Sequence, residues 1–445
     1  MRTNRTATLF ILGSIVITGT VLQSVHADSW PQWGGLSRDF TAKSYKLADT
    51  WPKDGPPKLW SRPLGDGYSA IISDGDLIFT MYRPDRTSDQ EVIIAMKAKT
   101  GKTVWEDRFE SKLPQPVSRH GHGPNSTPLI VGDRLCAIGT NAVVRCLDKT
   151  TGKLLWTRDL PTDFASPQCG NGYSISPIAY KNTLIIPLGC SRDKGPVNVA
   201  SDDGPSPPPD DDAHDGRDRS VIALSLADGE LAWMGNEYVV NQSSPTLINH
   251  GGQDQLVLLM IDGVAAIDPS SGKELWRLDF DKSGLHNLTP MWDGHDLLLF
   301  ASNGGPGRAI RLVRENGMTV PHEAWFNRKM ATRFYMGVHS DNGVYMPGND
   351  RFYGYDLRTG KRLWVQRGFD LASCVLADGK LFILDRNGKL TLATPSMEKL
   401  TIHAQCQVTE RDSITCPTLV GRTLFIRDRK NIMAFDIGLV KTPGN

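Results

Sequence analysis

Short apolar runs recur along the chain at near-even intervals, each set off by a turn signal. LIF (77–79), LII (184–186), LLLF (297–300), LFIL (381–384) and LFI (424–426) are too short for helices and have the length of buried strands. Upstream of such runs lie Asp74-Gly75, Gly132-Asp133, Lys181-Asn182, Gly252-Gln253, Asp293-Gly294, Asn342-Gly343, Asp378-Gly379 and Gly421-Arg422. These pairs supply the tight or left-handed backbone of a hairpin. Eight turns predict eight units.

A second pattern falls downstream of the first. AMKAKTGKTVW (95–105), CLDKTTGKLLW (146–156), ALSLADGELAW (223–233), AIDPSSGKELW (266–276) and GYDLRTGKRLW (354–364) superpose without gaps, with Trp in the same place after Gly101, Gly152, Gly229, Gly272 and Gly360. A degenerate copy runs from Leu312 to Trp325 around Gly317. The pattern describes a strand, an Asp-assisted turn closed by Gly, and a strand ending in Trp. One such unit cannot bury both faces of its sheet, so neighbours must stack. The spacing matches the roughly 40–50 residues of a four-stranded propeller blade. The interval before Gly229 is longer; it carries SDDGPSPPPDDDAHDGRD within about 191–219, whose richness in Asp, Pro and Gly reads as a solvated loop, and the alternative of a calcium loop meets an Asp spacing that misses the EF-hand and no closing Glu.

The last unit, 415–437, stops without a Trp strand, whereas Pro57-Lys58-Leu59-Trp60 is a Trp strand with no preceding unit. Joining them completes a ring and removes open sheet edges. The predicted fold is all-β: an eight-bladed propeller of four-stranded antiparallel blades, spanning 57–437 as one domain and closed by the N-terminal strand joining the C-terminal blade. Trp60, Trp105, Trp156, Trp233, Trp276, Trp325 and Trp364 are its packing tryptophans. Residues 28–56 form an N-terminal arm and 438–445 a tail.

Composition agrees: 43 Gly and 28 Pro in 445 residues suit many turns, and 50 Lys+Arg against 49 Asp+Glu give a net charge of +1, without the basic excess of a nucleic-acid binder. Residues 1–27 read as a signal peptide: Arg2 and Arg5, the apolar run Leu9 to Leu22, and small residues in Val25-His26-Ala27 before Asp28. No later run could span a bilayer. A soluble, monomeric protein in the periplasm or medium is expected, and export permits disulfides. Of seven Cys, Cys136 and Cys146 flank one hairpin, Cys169 and Cys190 the next strand pair, and Cys406 and Cys416 one connection, which suggests three bridges and leaves Cys374 over.

These repeats resemble the bacterial propellers with pyrroloquinoline-quinone-like (PQQ-like) repeats, a family that includes quinoprotein alcohol dehydrogenases and the non-enzymatic outer-membrane assembly factor of the BamB type. DSWPQWGGLSRD (28–39), WPKDGPPKLW (51–60), AWFNRKM (324–330) and LFIRDRKNIMAFD (424–436) look like segments of uncharacterised exported members. The resemblance implies the fold, and it implies either catalysis or binding. A quinoprotein would need calcium held by carboxylate and amide oxygens, an Asp base, an aromatic floor and usually adjacent cysteines. That pair is missing here, and most Asp and Asn fall at turns. No GxSxG, HExxH or P-loop occurs.

The candidate binding residues lie on polar connections entering blades: His120, His122 and Asn125 before blade two, Asn171 and Tyr173 before blade three, and His286 and Asn287 before blade five. Together they are expected to line one channel mouth, with Tyr68, Phe334 and Tyr335 near other blade entrances. Trp292 is a spare aromatic beside a turn. The sequence thus points to an exported, non-catalytic scaffold of the bacterial cell envelope that binds a protein or small ligand, with no cofactor or metal predicted. The alternatives are a PQQ- and calcium-dependent dehydrogenase and a polysaccharide- or envelope-binding module.

Overall fold

The computed structural model describes residues 29–43, 46–112, 123–166, 172–188, 220–235, 238, 240, 242–280, 288–302, 305–330, 332, 337–410, 412, 413 and 415–438. The expected signal peptide, the insertion at 191–219 and the tail beyond Gly438 lie outside them, as do Cys169 and Cys190.

Turn chemistry and short apolar runs assemble eight antiparallel sheets. In chain order the blades occupy residues 72–110, 129–159, 178–235, 246–279, 291–327, 338–367 and 373–407, and the eighth joins 418–436 to the strand Lys58–Pro63. The register of the closing strand pairs Trp60 with Ala434 and Ser61 with Met433. The first strand of each blade lines the central channel, and first strands of adjacent blades touch at several junctions. Middle strands such as Leu77–Tyr82 and Gln90–Lys97 are almost wholly buried, because a blade packs on a neighbour at each face. Outermost strands alternate instead: in Thr103–Glu110 only Trp105 and Phe109 are buried.

All seven predicted tryptophans sit on outermost strands just past a bulge. Five of them lie flat against a glycine of the following blade: Trp60 on Gly101, Trp105 on Gly152, Trp156 on Gly229, Trp233 on Gly272 and Trp325 on Gly360. Four of these also donate from the indole Nε1 to that blade, as in Trp105 to the Lys149 carbonyl (3.0 Å) and Trp325 to the Leu357 carbonyl (2.9 Å). The glycine is required twice over. Gly152 has φ +74°, and a Cβ there would lie 2.5 Å from the Trp105 ring.

The exceptions follow from what the next blade offers. Blade five has a longer hairpin, so Trp276 donates to Gln255 Oε1 of its own blade (2.6 Å), and Gln255 Nε2 donates on to Thr319 of blade five (2.8 Å). The corresponding hairpin of blade eight does not exist, since its two outer strands come from opposite ends of the chain. Blade seven accordingly has Ala404 at the Trp position. The arm closes this junction: Trp51 packs near Phe382 (6.3 Å between ring centroids), and Gly55 lies against Cys406.

Buried ions lock two further junctions. The Arg83–Glu91 pair (2.8 Å) is fully buried in blade one, and Glu91 accepts the Thr140 N–H of blade two (3.0 Å). Arg427 of blade eight donates to the Ser69 (3.0 Å) and Met81 (2.8 Å) carbonyls of blade one.

Two of the three expected bridges, those whose cysteines are described, do not form. Cys136 and Cys146 are directly opposite in register, but their sulfurs are 3.4 Å apart, well beyond the about 2.05 Å of a disulfide, and both are free thiols. Cys406 and Cys416 are free as well. Cys406 faces the arm at Gly55, while Cys416 interacts with Cys374, so the two point into different surroundings.

Gly152→Ala should destabilise the protein by about 1–3 kcal/mol through backbone strain and displacement of Trp105, and Trp105→Ala by about 3–5 kcal/mol. Urea unfolding followed by far-UV circular dichroism measures both. Wild-type midpoints for the pair would refute the docking.

Candidate functional site

Residues 29–42 of the arm run through the channel, before the arm turns outward to Trp51 and Gly55. Trp30 pairs with Ser73 of blade one through two main-chain hydrogen bonds (2.9 Å each). The Ile130 N–H of blade two donates to the Pro31 carbonyl (2.8 Å). Trp33 then donates from Nε1 to Thr289 Oγ1 ahead of blade five (2.9 Å). Residues 34–40 close on themselves, with the Phe40 N–H donating to the Gly34 carbonyl (2.9 Å) and Phe40 edge-on to Trp33 (5.0 Å). Thr41–Ala42 finally pairs in parallel with the first strand of blade seven, so that sheet has five strands.

Arg38 is the centre of this plug. It is 3% exposed and has a left-handed backbone (φ 57°). Its guanidinium donates to the Ser176 and Pro177 carbonyls ahead of blade three, the Pro245 carbonyl ahead of blade four (2.8 Å), and Gln32 Oε1 (3.0 Å). Burial pulls its pKa down to about 9. Carbonyl oxygens around every N–H group favour the charged form, so Arg38 carries a positive charge at neutral pH. The cation has main-chain dipoles as its partners and ties two blades to the arm.

Above the plug lies an open cavity of about 1260 Å³. Its walls are Gln32, Leu36, Ser37, Arg38 and Asp39 of the arm, together with Ile130, Ala179, Leu247, Asn249, Trp292 and His339 of innermost strands. Its rim is made of turns that follow those strands, including Asp74, Asp133 and Asp293. Lys149 bridges to Asp74 (2.8 Å) and joins blades two and one at the rim. Asp293 Oδ1 accepts the His295, Asp296 and Leu297 N–H groups (2.8, 3.0 and 3.0 Å). Its Oδ2 is buried without a hydrogen bond, 3.4 Å from Arg358 Nη2. Half-buried Trp292 is held edge-on by His250 (6.2 Å). Desolvation raises the Asp39 carboxyl above its usual range; the Thr41 N–H (2.9 Å) and the charge of His339 oppose the rise. The cavity thus mixes one aromatic face, aliphatic floor and scattered hydrogen-bonding groups. Among the described residues no three His, Cys, Asp or Glu gather as a metal set.

Asn125 lies on the connection into the innermost strand of blade two, at the end of that strand away from the turns that rim the cavity. His120, His122, Asn171, His286, Asn287, Phe334 and Tyr335 fall outside the described residues. Asn125 is half-buried just after Pro124. Tyr173 is not a mouth residue: it is 1% exposed, and its hydroxyl donates to the Pro187 carbonyl (2.8 Å) between blades two and three. Tyr68 is half-buried beside Arg429 (5.9 Å), which pairs with Asp66 (2.8 Å). Trp292, singled out by position, does line the cavity. Arg38, Asp39, Asn249 and His339 carry no local motif.

The profile of the family described as outer membrane protein assembly factor BamB matches residues 88–366, and the chain belongs to that family. It is 21% identical to the outer membrane protein assembly factor BamB of Yersinia pestis over 321 residues, 69% of this chain and 72% of that protein. It is 27% identical over 141 residues, 32% of this chain, to the quinoprotein ethanol dehydrogenase of Pseudomonas aeruginosa, and spans only 21% of that enzyme's length. Among solved structures, BamB from Moraxella catarrhalis superposes with a TM-score of 0.57 at 12% identity, covering 86% of this chain and all of that one (100%). Quinohemoprotein alcohol dehydrogenase from Comamonas testosteroni superposes with a TM-score of 0.62 at 12% identity, covering 94% and 82%. These likenesses establish the propeller. No described helix is long and apolar enough to cross a membrane.

Arg38→Met keeps the length of the side chain and removes its donors, leaving buried carbonyls unpaired at about 1–3 kcal/mol each. The expected outcome is an arm that proteases cut within residues 29–48 before the propeller melts. Limited proteolysis with N-terminal sequencing reads this, and wild-type resistance would contradict the plug.

Proposed function

We propose that this member of the BamB family is an exported, non-catalytic propeller that binds a partner protein in the bacterial cell envelope. One observation carries the reading: the chain's own arm plugs the central channel below the open cavity, with Trp33 and Arg38 hydrogen-bonded to the approaches of three blades. A plug of that kind favours a rigid platform over a reaction chamber. The relative that matches most of the chain is named for outer-membrane protein assembly, which supports the same reading.

The second reading is a PQQ- and calcium-dependent dehydrogenase, favoured by the partial likeness to quinoprotein ethanol dehydrogenase. The described channel residues do not suit that pair of groups. Calcium takes six to eight oxygen ligands, usually with several carboxylates, whereas the described channel centre holds the Arg38 cation, and the carbonyls around it are already engaged.

Purified exported protein titrated with PQQ and calcium should show no saturable change in tryptophan fluorescence and no dye reduction with alcohols or sugars. Cross-linking in intact cells should capture an envelope protein that rebinds saturably when both are purified. Saturable PQQ binding with dye reduction would overturn the proposal.

A further inference from the structure

Three blades show how the channel wall takes an extended chain. In blade one Ser73 immediately precedes the turn-closing residue Asp74, in blade two Ile130 precedes Val131, and in blade seven Leu376 precedes Ala377. Alternate residues of a strand point their N–H groups to opposite edges, so each of these three faces the channel. Each N–H is taken by an arm carbonyl: Ser73 by Trp30 (2.9 Å), Ile130 by Pro31 (2.8 Å) and Leu376 by Phe40 (2.9 Å).

The same register recurs in the next four blades. Ala179 precedes the closing pair Tyr180–Thr183, Asn249 precedes His250–Gln253, and His339 precedes Ser340–Gly343. Trp292 precedes Asp293, whose N–H closes the turn on the Leu297 carbonyl (3.1 Å). Ala179, Asn249, Trp292 and His339 all line the cavity and are half-buried or exposed, where the arm leaves them uncovered.

We infer that the free innermost edges of blades three to six form a receptor for an extended polypeptide of a partner protein, bound by main-chain pairing as the arm is in blades seven, one and two. Exposed strand edges recruit strands, and the chain's own arm demonstrates the mode. The cavity, at about 1260 Å³, exceeds the roughly 300–1,000 Å³ of small-molecule sites. Leu36, Ile130 and Leu247 offer an apolar floor for aliphatic side chains, and Trp292 an aromatic wall. The inference rests on the protein-binding reading above and adds where the partner enters and what part of it is recognised.

The probe is a phage-displayed library of unconstrained 12-residue peptides, panned on the exported full chain, with selected sequences resynthesised for fluorescence polarisation. Ala179→Pro removes one edge N–H at a position where an edge strand tolerates proline; it should weaken binding at least tenfold, with Ala179→Val within about twofold of wild type. Hydrogen exchange of the unmutated protein supplies a readout independent of variant folding. The amides of Ala179, Asn249, Trp292 and His339 should exchange faster than those of Ser73, Ile130 and Leu376, and slow at least tenfold with peptide bound. The inference fails if no sequence is enriched, if Ala179→Pro binds as wild type, if the four amides are already protected, or if cellotetraose and chitotetraose protect them and peptides do not. Should the cross-linked envelope partner still bind Ala179→Pro normally, the scaffold survives and the channel edge is wrong.

Discussion

A tryptophan ring lying on a glycine of the next blade is the contact on which the ring depends. A flat indole needs a neighbour without a Cβ, and the turn that brings this neighbour into place needs a positive φ; glycine meets both demands at once. Each such contact joins two units that share little main-chain hydrogen bonding, so it fixes the angle between blades as well as burying an aromatic side chain. Where the following blade offers no such hairpin, as after blades four and seven, the contact is replaced by Gln255 or by the arm around Trp51 and Gly55.

Closure raises a second demand, because the blades leave innermost edges with unpaired main chain around an axial space. The arm meets part of it. Its carbonyls occupy the edges of three blades, and its Arg38 gathers carbonyls from the approaches to two more. A buried guanidinium surrounded by carbonyl dipoles, with no carboxylate among its hydrogen-bond partners, acts as a cross-link, and removing it would strand several acceptors at once. The buried Arg83–Glu91 pair and Arg427 act in the same way between blades one and two and between eight and one. Polar side chains thus fasten together the apolar blades.

The cavity is what remains after the arm has been laid down. Its residues reach it from six blades and the arm, and none sits in a local motif. Asp39 meets His339 across about three hundred intervening residues, and Arg38 meets Pro245 across more than two hundred. Of the polar positions that drew attention in the sequence, Asn125 belongs to the opposite end, and Tyr173 spends its hydroxyl on packing. Polar residues on a loop signal exposure or a turn; only the path of the chain tells which end of a channel they reach.

The repeat determined by itself the number of blades and the place of every blade tryptophan, because period, turn chemistry and the Trp–Gly pairing are local properties, and its unfinished last copy gave the joining of the two chain ends. It also carried the balanced charge and the absence of adjacent cysteines. Tertiary structure alone decided that Cys136 and Cys146, opposite in register, would stay free thiols, that Ala404 would stand where a tryptophan was missing, and that residues 29–42 would enter the channel. These outcomes depend on distances between segments far apart in the chain. A strand edge that needs a partner leaves no mark on the residue that will supply the carbonyl, since any residue has one.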